Sequence, residues 1–254
     1  MTRPLVRGYR RHLAAMLAVA LLAPALAAGS AAAQNFHRTN AQLLYGARFD
    51  DARLGNDPRD GELTTLTLEE ASAWRYGDSF LFVDMTRGDF PGGERYRLYA
   101  EWAPRLSLSK LSGRRVGLGP IGDVLVAGGV NRGHGFHANL LGVGTDLKLP
   151  GFAFLQLNAY WRDDNFNDPT YQITPVWLLP LQRGRVALSF GGFADVMGTD
   201  DDGVDVLAQP QLLLDLGALV GARAGAVQAG LEWYFHDVGD ERTSAPQAMV
   251  KVRW

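Results

Sequence analysis

The feature that most limits how this chain can fold is a regular alternation of polar and apolar residues from residue 34 onward. It runs in stretches of about nine to twelve residues, which is the length of a tilted membrane-spanning strand. A period of two places successive side chains on opposite faces of a sheet. No stretch after residue 34 has the ~20 apolar residues of a spanning helix. The pattern therefore predicts a transmembrane β-barrel.

We predict an all-β fold, an up-and-down antiparallel barrel of about twelve strands that occupies residues 34–254. An even strand number is what a bacterial barrel with both termini in the periplasm requires. The strands are predicted at 40–49, 62–70, 78–86, 95–103, 121–130, 136–147, 152–162, 170–181, 185–196, 205–216, 227–237 and 246–254. Strand four is expected to continue past Pro104, because 104–120 is long for a periplasmic turn.

The alternation also predicts which face of each strand contacts lipid. In 152–162, Leu155, Leu157 and Trp161 share one face, and Asn158, Tyr160 and Arg162 share the other. The last predicted strand alternates in the same way and ends at Trp254. A strand of this kind is what the barrel-assembly machinery reads. We therefore expect that machinery as a partner, outer-membrane lipid and lipopolysaccharide as the surroundings, and a monomer.

The N-terminal segment is typical of a signal peptide. Arg3, Arg7, Arg10 and Arg11 precede an apolar run, and three alanines precede Gln34. This order of a basic, an apolar and a small-residue region predicts cleavage after residue 33 and export of residues 34–254. The alternative is an uncleaved membrane anchor.

Composition narrows the classes of function. The formal net charge of −2 gives no indication of a nucleic-acid partner. The absence of cysteine excludes a disulfide framework, a thiolate metal site and a Cys-anchored lipoprotein. We expect no cofactor and no bound metal.

The predicted connections separate by charge. The first and every other connection together hold fourteen Asp or Glu and six Lys or Arg, whereas the alternate set holds no acid and seven basic residues. We expect the acidic set outside the cell and the basic set in the periplasm, as in an up-and-down barrel across a membrane with two different sides.

The polar faces predict the lining of a channel that carries both charge signs and aromatic rings. A barrel of this strand number is too wide for its side chains to fill and too narrow for a general pore. Either the charges form a network that nearly closes the barrel, or the lumen passes a neutral solute with a flat ring and hydroxyls, on which Phe80, Phe82, Tyr99 and Tyr234 would stack. The predicted lining residues are Glu69, Phe80, Phe82, Asp84, Arg97, Tyr99, Glu101, Asp146, Lys148, Tyr160, Arg162, Gln209, Gln211, Asp215, Glu232, Tyr234, Lys251 and Arg253, with His236 on the same face.

Several short stretches resemble the nucleoside-specific channels of the Tsx type and the related OmpK outer-membrane proteins. They occur in the expected order at 64–69, 74–78, 80–84, 99–107, 192–195, 209–211, 215–217 and 230–233. The resemblance implies a monomeric twelve-stranded barrel in the outer membrane of a Gram-negative bacterium, with a narrow lumen that conducts nucleosides by facilitated diffusion.

Other chemistry is weakly indicated. His134 and His137 have no third ligand nearby in sequence, and the acidic run 200–205 lacks the closing Glu of a calcium loop. An outer-membrane enzyme would need a nucleophile such as Ser72 or Ser244 beside a His such as His236, but no spacing singles out a pair. We predict a protein that is not an enzyme. The alternatives are a receptor or structural barrel with a closed lumen and a lipid-modifying barrel enzyme.

Overall fold

The segments with period-two alternation are strands of one antiparallel sheet, which closes into a barrel. The computed structural model describes residues 34–49 and 58–254. Residues Phe36–Trp254 form one structural unit. The predicted signal peptide at 1–33 and most of the connection predicted at 50–61 lie outside the described residues, and cleavage after residue 33 stays a prediction.

Strands make up most of the described chain, with two short helices at the connections. The strands are β1 Gln34–Gly46, β2 Leu63–Trp74, β3 Gly77–Arg87, β4 Tyr96–Ser107, β5 Ile121–Gly133, β6 Phe136–Leu147, β7 Phe154–Asp164, β8 Thr170–Arg183, β9 Val186–Gly198, β10 Val204–Ala208, β11 Gln211–Asp215, β12 Val227–Val238 and β13 Glu241–Arg253. The helices are α1 Leu108–Ser112 and α2 Leu216–Leu219.

Two of these strands are parts of one barrel strand. Both β10 and β11 pair with β9 on one side and with β12 on the other, and the register is the same before and after the break. Pro210 interrupts the pairing because it has no N–H to donate. Gly192 lies opposite with φ +141°, where a Cβ would be 2.4 Å from the carbonyl oxygen of Gln209. The continuous strand predicted at 205–216 is therefore interrupted, but the twelve-strand barrel is confirmed.

The ring closes between its first and last strands. β13 pairs with β12 over its whole length and with β1 from Asn40–Arg253 to Gly46–Gln247. Every other neighbour in the ring is also its neighbour in sequence. A closed ring leaves no unpaired sheet edge, which a barrel in lipid requires.

Several strand ends differ from the sequence prediction. The first strand is Gln34–Gly46 rather than 40–49. The last strand begins at Glu241 rather than at residue 246, because Val238 and Glu241 already pair across a two-residue turn. Most of the predicted connection 238–245 is therefore strand. Strand β4 continues past Pro104 to Ser107, as expected, and the Ser107 side chain then caps α1.

The connections lie alternately at the two ends of the barrel. We call the end with the β1–β2, β3–β4 and β7–β8 connections the acidic end, and the opposite end, with α1 and α2, the basic end. The placement of the acidic end outside the cell stays a prediction.

The two faces of the sheet differ as the alternation predicts. Outward positions are apolar and exposed, among them Leu141 (62%), Val143 (59%) and Trp161 (58%). Inward positions include the buried polar residues Asn131 and Gln247. The barrel thus presents an apolar surface to lipid and a polar one to its lumen.

Within the described residues, no helix is long and apolar enough to cross a membrane.

Candidate functional site

Most of the predicted lining residues lie on the inward face of a strand. Lys148 lies in the turn after β6, and Gln209 lies at the break between β10 and β11. Asp215 ends β11, and its carboxylate accepts hydrogen bonds from the backbone N–H groups of Ala218 and Gly225. The role of the set as channel lining stays a prediction. The inward members are Glu69, Phe80, Phe82, Asp84, Arg97, Tyr99, Glu101, Asp146, Tyr160, Arg162, Gln211, Asp215, Glu232, Tyr234, Lys251 and Arg253.

Five aromatic rings form a continuous series along one wall, which we call the aromatic ladder. Its members, in order, are Phe80, Phe82, Tyr99, Phe136 and Phe166. Neighbouring ring centroids are 5.9–6.1 Å apart. The ladder begins at Phe80 in the half of β3 nearer the basic end and finishes at Phe166 in the β7–β8 connection at the acidic end.

The middle of the ladder lies beside charged groups. The Tyr99 hydroxyl donates to the Glu101 carboxylate, which also accepts from the Asn131 amide at 3.0 Å. Arg162 lies 5.7 Å from the centre of the Phe136 ring and is ion-paired with Asp164 at 2.7 Å. A solute that stacked on these rings would therefore have both a carboxylate and a guanidinium within reach.

A second carboxylate of this region belongs to a strand farther along the same wall. Asp195 on β9 accepts hydrogen bonds from Thr174 (2.5 Å) and from the Gln172 amide (2.9 Å). Gln172 in turn accepts from Arg162 at 2.6 Å. Asp195 is thus linked to Arg162 through the Gln172 side chain. Charged groups inside a membrane protein are costly and mark functional sites by default.

Nearer the basic end, the buried guanidinium of Arg105 is paired with carboxylates on two other strands of the same wall. Arg105 is 4% exposed and donates two 2.8 Å hydrogen bonds to Asp78. It also lies 3.0 Å from Asp146 on β6. A bidentate pair with a second carboxylate is strong and directional. We call the inward faces of β3–β9, with the ladder, these charges and Arg105, the ladder wall.

The opposite wall carries amides and carboxylates that are bonded to each other. Glu232 accepts from Gln211 at 2.7 Å and from Gln247 at 3.0 Å. Glu69 accepts from the Asn40 amide at 2.7 Å and lies 3.2 Å from Lys251. We call the inward faces of β11–β13, β1 and β2 the amide wall. Its polar groups already have partners within the protein.

An apolar cluster covers the amide-wall side of the acidic end, and we call it the apolar cap. It consists of Phe49, Leu63, Phe90 and Ala245, with Tyr234 packed against it. The Phe49 and Tyr234 rings are 5.3 Å apart, and Phe90 is fully buried beneath the Arg97 guanidinium. Tyr234 is thus part of the apolar cap and not of the aromatic ladder. The sequence had predicted that it would stack on a solute together with Phe80, Phe82 and Tyr99.

The residues considered for enzyme chemistry are not brought together. Ser244 faces outward and accepts from the Trp233 indole at 2.9 Å, whereas His236 faces the lumen and bonds Asp205 at 2.8 Å. Ser72 is paired with Ser79 across two strands. Among the described residues, no three His, Asp or Glu side chains are grouped as metal ligands.

Sequence reasoning missed several residues of this region, among them Phe136, Asp195 and Phe166. Phe136 and Asp195 have the inward parity of β6 and β9, so the alternation could have identified both. Phe166 lies in a connection, where no periodicity indicates which way a side chain points. Its place in the ladder depends on how β6 and the β7–β8 connection meet.

Comparisons with known proteins agree with this architecture. No family model matches the chain. A curated relative, outer membrane protein OmpK of Vibrio parahaemolyticus, is 28% identical over 127 residues, which are 47% of this chain and 47% of the relative. The chain thus matches about half the length of that relative. The solved structure of the KdgM porin superposes with a TM-score of 0.50 at 6% identity, over 86% of this chain and 99% of that one, and a similarity at this identity shows the fold alone.

The relative and the fold together indicate the membrane in which the protein lies. The OmpK-type resemblance inferred from the short stretches is confirmed by a curated relative, and the barrel fold by a porin structure. The protein is a twelve-stranded barrel of the Gram-negative outer membrane that resembles OmpK-type proteins.

Proposed function

We propose that the protein is an outer-membrane channel for facilitated diffusion of small polar solutes, and that its solutes are nucleosides. The observation that carries the proposal is the place where Tyr99 and Phe136 of the ladder lie beside Glu101 and Arg162, with Asp195 linked to Arg162 through Gln172. A nucleoside combines a flat base with ribose hydroxyls, and this region offers a matching combination of ring faces and charged hydrogen-bonding groups.

The expected strength of the contacts between solute and lumen suits passage of the solute rather than tight binding. A base stacked on a well-placed aromatic ring gains roughly 1–3 kcal/mol. Hydrogen bonds to charged groups are stronger than neutral ones. Several sites of moderate strength in series allow a solute to enter and to leave, which transport requires. The ladder supplies such a series, with rings 5.9–6.1 Å apart.

Single-channel recording of the refolded protein in a planar bilayer tests the proposal. We expect a small conductance that adenosine and thymidine reduce saturably and that a sugar of similar size does not. Conductance that no solute changes would contradict the nucleoside part. Absence of any conductance would contradict the channel and favour the alternative of a closed structural barrel, with the lumen charges as a stabilising network.

A matched pair of variants tests the site. Phe82→Ala removes a rung of the ladder, and we expect the nucleoside dissociation constant to rise roughly fivefold or more. Leu155→Ala removes a similar apolar group from the outward face of β7 and should leave both conductance and block unchanged. Glu101→Ala should change conductance as well. The opposite result for Phe82 and Leu155 would show that the inward and outward faces are assigned wrongly.

A further inference from the structure

The ladder continues beyond the barrel wall to an exposed ring. Phe166 lies in the β7–β8 connection, is 61% exposed, and stacks on Phe136 with 11° between the ring planes and 5.9 Å between the centroids. Phe136 is in turn stacked on Tyr99 within the lumen. Phe166 is thus connected to the lumen through stacked rings.

The connection that carries Phe166 is fixed by local hydrogen bonds. The Asn165 side chain accepts from the backbone N–H of His137 at 2.8 Å and donates to the carbonyl of Gly135 at 2.9 Å. Asp164 accepts from the backbone N–H groups of Phe166 and Asn167 at 2.8 and 2.9 Å. Because the ring is already held in place, a ligand that stacks on it would not need to order it first.

The two sides of the acidic end differ in what they offer to a solute. The apolar cap covers the side formed by β12, β13, β2 and the β3–β4 connection. Phe136 and Phe166 lie on the side formed by β6 and β7, across the ring of strands. Among the residues that the structure describes at this end, the exposed ring that joins the ladder therefore lies on the side of β6 and β7.

We propose that Phe166 and Phe136 form a capture site at the acidic end, where the base of an entering nucleoside stacks before it moves along the ladder. The inference rests on the proposed channel function and adds the entry point. Arg162, 5.7 Å from the Phe136 ring centre, supplies hydrogen-bond donors for the polar edge of the base. Capture from this end depends on Phe166, whereas entry from the basic end begins at Phe80 and does not.

The test measures the rate of adenosine block from each side of an oriented channel. Because the chain has no cysteine, Asp240→Cys in the β12–β13 turn can be labelled with an impermeant maleimide to identify the acidic end. In Phe166→Ala we expect the association rate from the acidic end to fall roughly fivefold or more, the effect of one lost stacking contact. The association rate from the basic end should be unchanged.

Two further variants serve as controls. Phe166→Tyr keeps a ring and should restore the association rate from the acidic end. Tyr96→Ala removes another exposed aromatic at the acidic end, on the outward face of β4, and should leave both rates unchanged. Equal effects of Phe166→Ala from both sides, or none, would overturn the capture site. Absence of adenosine block in the unmodified protein would instead overturn the proposed function, and the capture site with it.

Discussion

Charged groups on both walls of the lumen are bonded within the protein, but the ladder wall also carries a continuous series of aromatic rings. On the amide wall, Glu232 is bonded by Gln211 and Gln247, and Glu69 by Asn40 and Lys251. On the ladder wall, five ring faces follow one another and Phe80 is 38% exposed.

Polar residues in a barrel lumen do not by themselves identify a path for solute. Glu101 and Asp195 on the ladder wall are hydrogen-bonded within the protein as Glu232 is on the amide wall, so hydrogen bonding does not distinguish the two walls. A ring face makes no hydrogen bond that must be broken before a base stacks on it. We therefore assign solute contact to the ladder wall and stabilisation of the barrel to the amide wall.

The largest expected effect concerns the ion pairs that hold the ladder wall. Arg105→Ala removes the buried partner of Asp78 and Asp146, and loss of one member of a buried pair costs 3–5 kcal/mol in general. We expect the free energy of unfolding to fall by about 3 kcal/mol, at the low end because both carboxylates are partly exposed to the lumen. Urea titration in detergent micelles measures it. The exposed Arg183→Ala should change little, and equal stability of both variants would contradict a structural role for Arg105.

A smaller effect is expected on the amide wall. Gln247→Ala removes a 3.0 Å hydrogen bond to the buried Glu232, and hydrogen bonds to charged groups contribute about 1.5–3 kcal/mol. We expect a loss of about 2 kcal/mol in the free energy of unfolding, with adenosine block unchanged. Gln182→Ala, exposed at the basic end, is the control for stability. A change in block would show that the amide wall also contacts solute.

The smallest effect concerns ion selectivity and distinguishes the walls by charge. Arg105, Arg162 and Lys251 each have an acidic partner. Among the described residues, no ion pair is formed by the lumen carboxylates Glu101 and Asp195, which accept hydrogen bonds from neutral donors. We therefore expect a preference for cations, since rings of carboxylates select for them.

Reversal potentials in a salt gradient measure this preference. Glu101→Gln should lower the ratio of cation to anion permeability roughly fivefold, which corresponds to about 1 kcal/mol for one charge at 4 Å in water. Glu70→Gln, the same change on the outward face of β2, should leave the ratio unchanged. An anion-selective channel would contradict the expectation, and it would indicate that Arg38 and Arg253 near the basic end dominate.

Sequence reasoning was most successful where local geometry decides the outcome. The strand predicted at 136–147 matches β6, and the alternation in 152–162 gives the inward and outward residues of β7 correctly. It was less successful at strand ends and at prolines. Pro210 divides a predicted strand because it cannot donate to the ladder of hydrogen bonds, and a tight turn at residues 239–240 lengthens β13.

The sequence alone determined the strand number and the two faces of the barrel, because side-chain direction in a strand alternates with a fixed period of two. The folding of the whole barrel, and no local pattern, brings residues 80, 82, 99, 136 and 166 into one ladder and places Tyr234 in the apolar cap. These contacts join strands far apart in sequence. They depend on the register of every strand pair between them and on how the connections fold over the lumen, and neither is a local property of the chain.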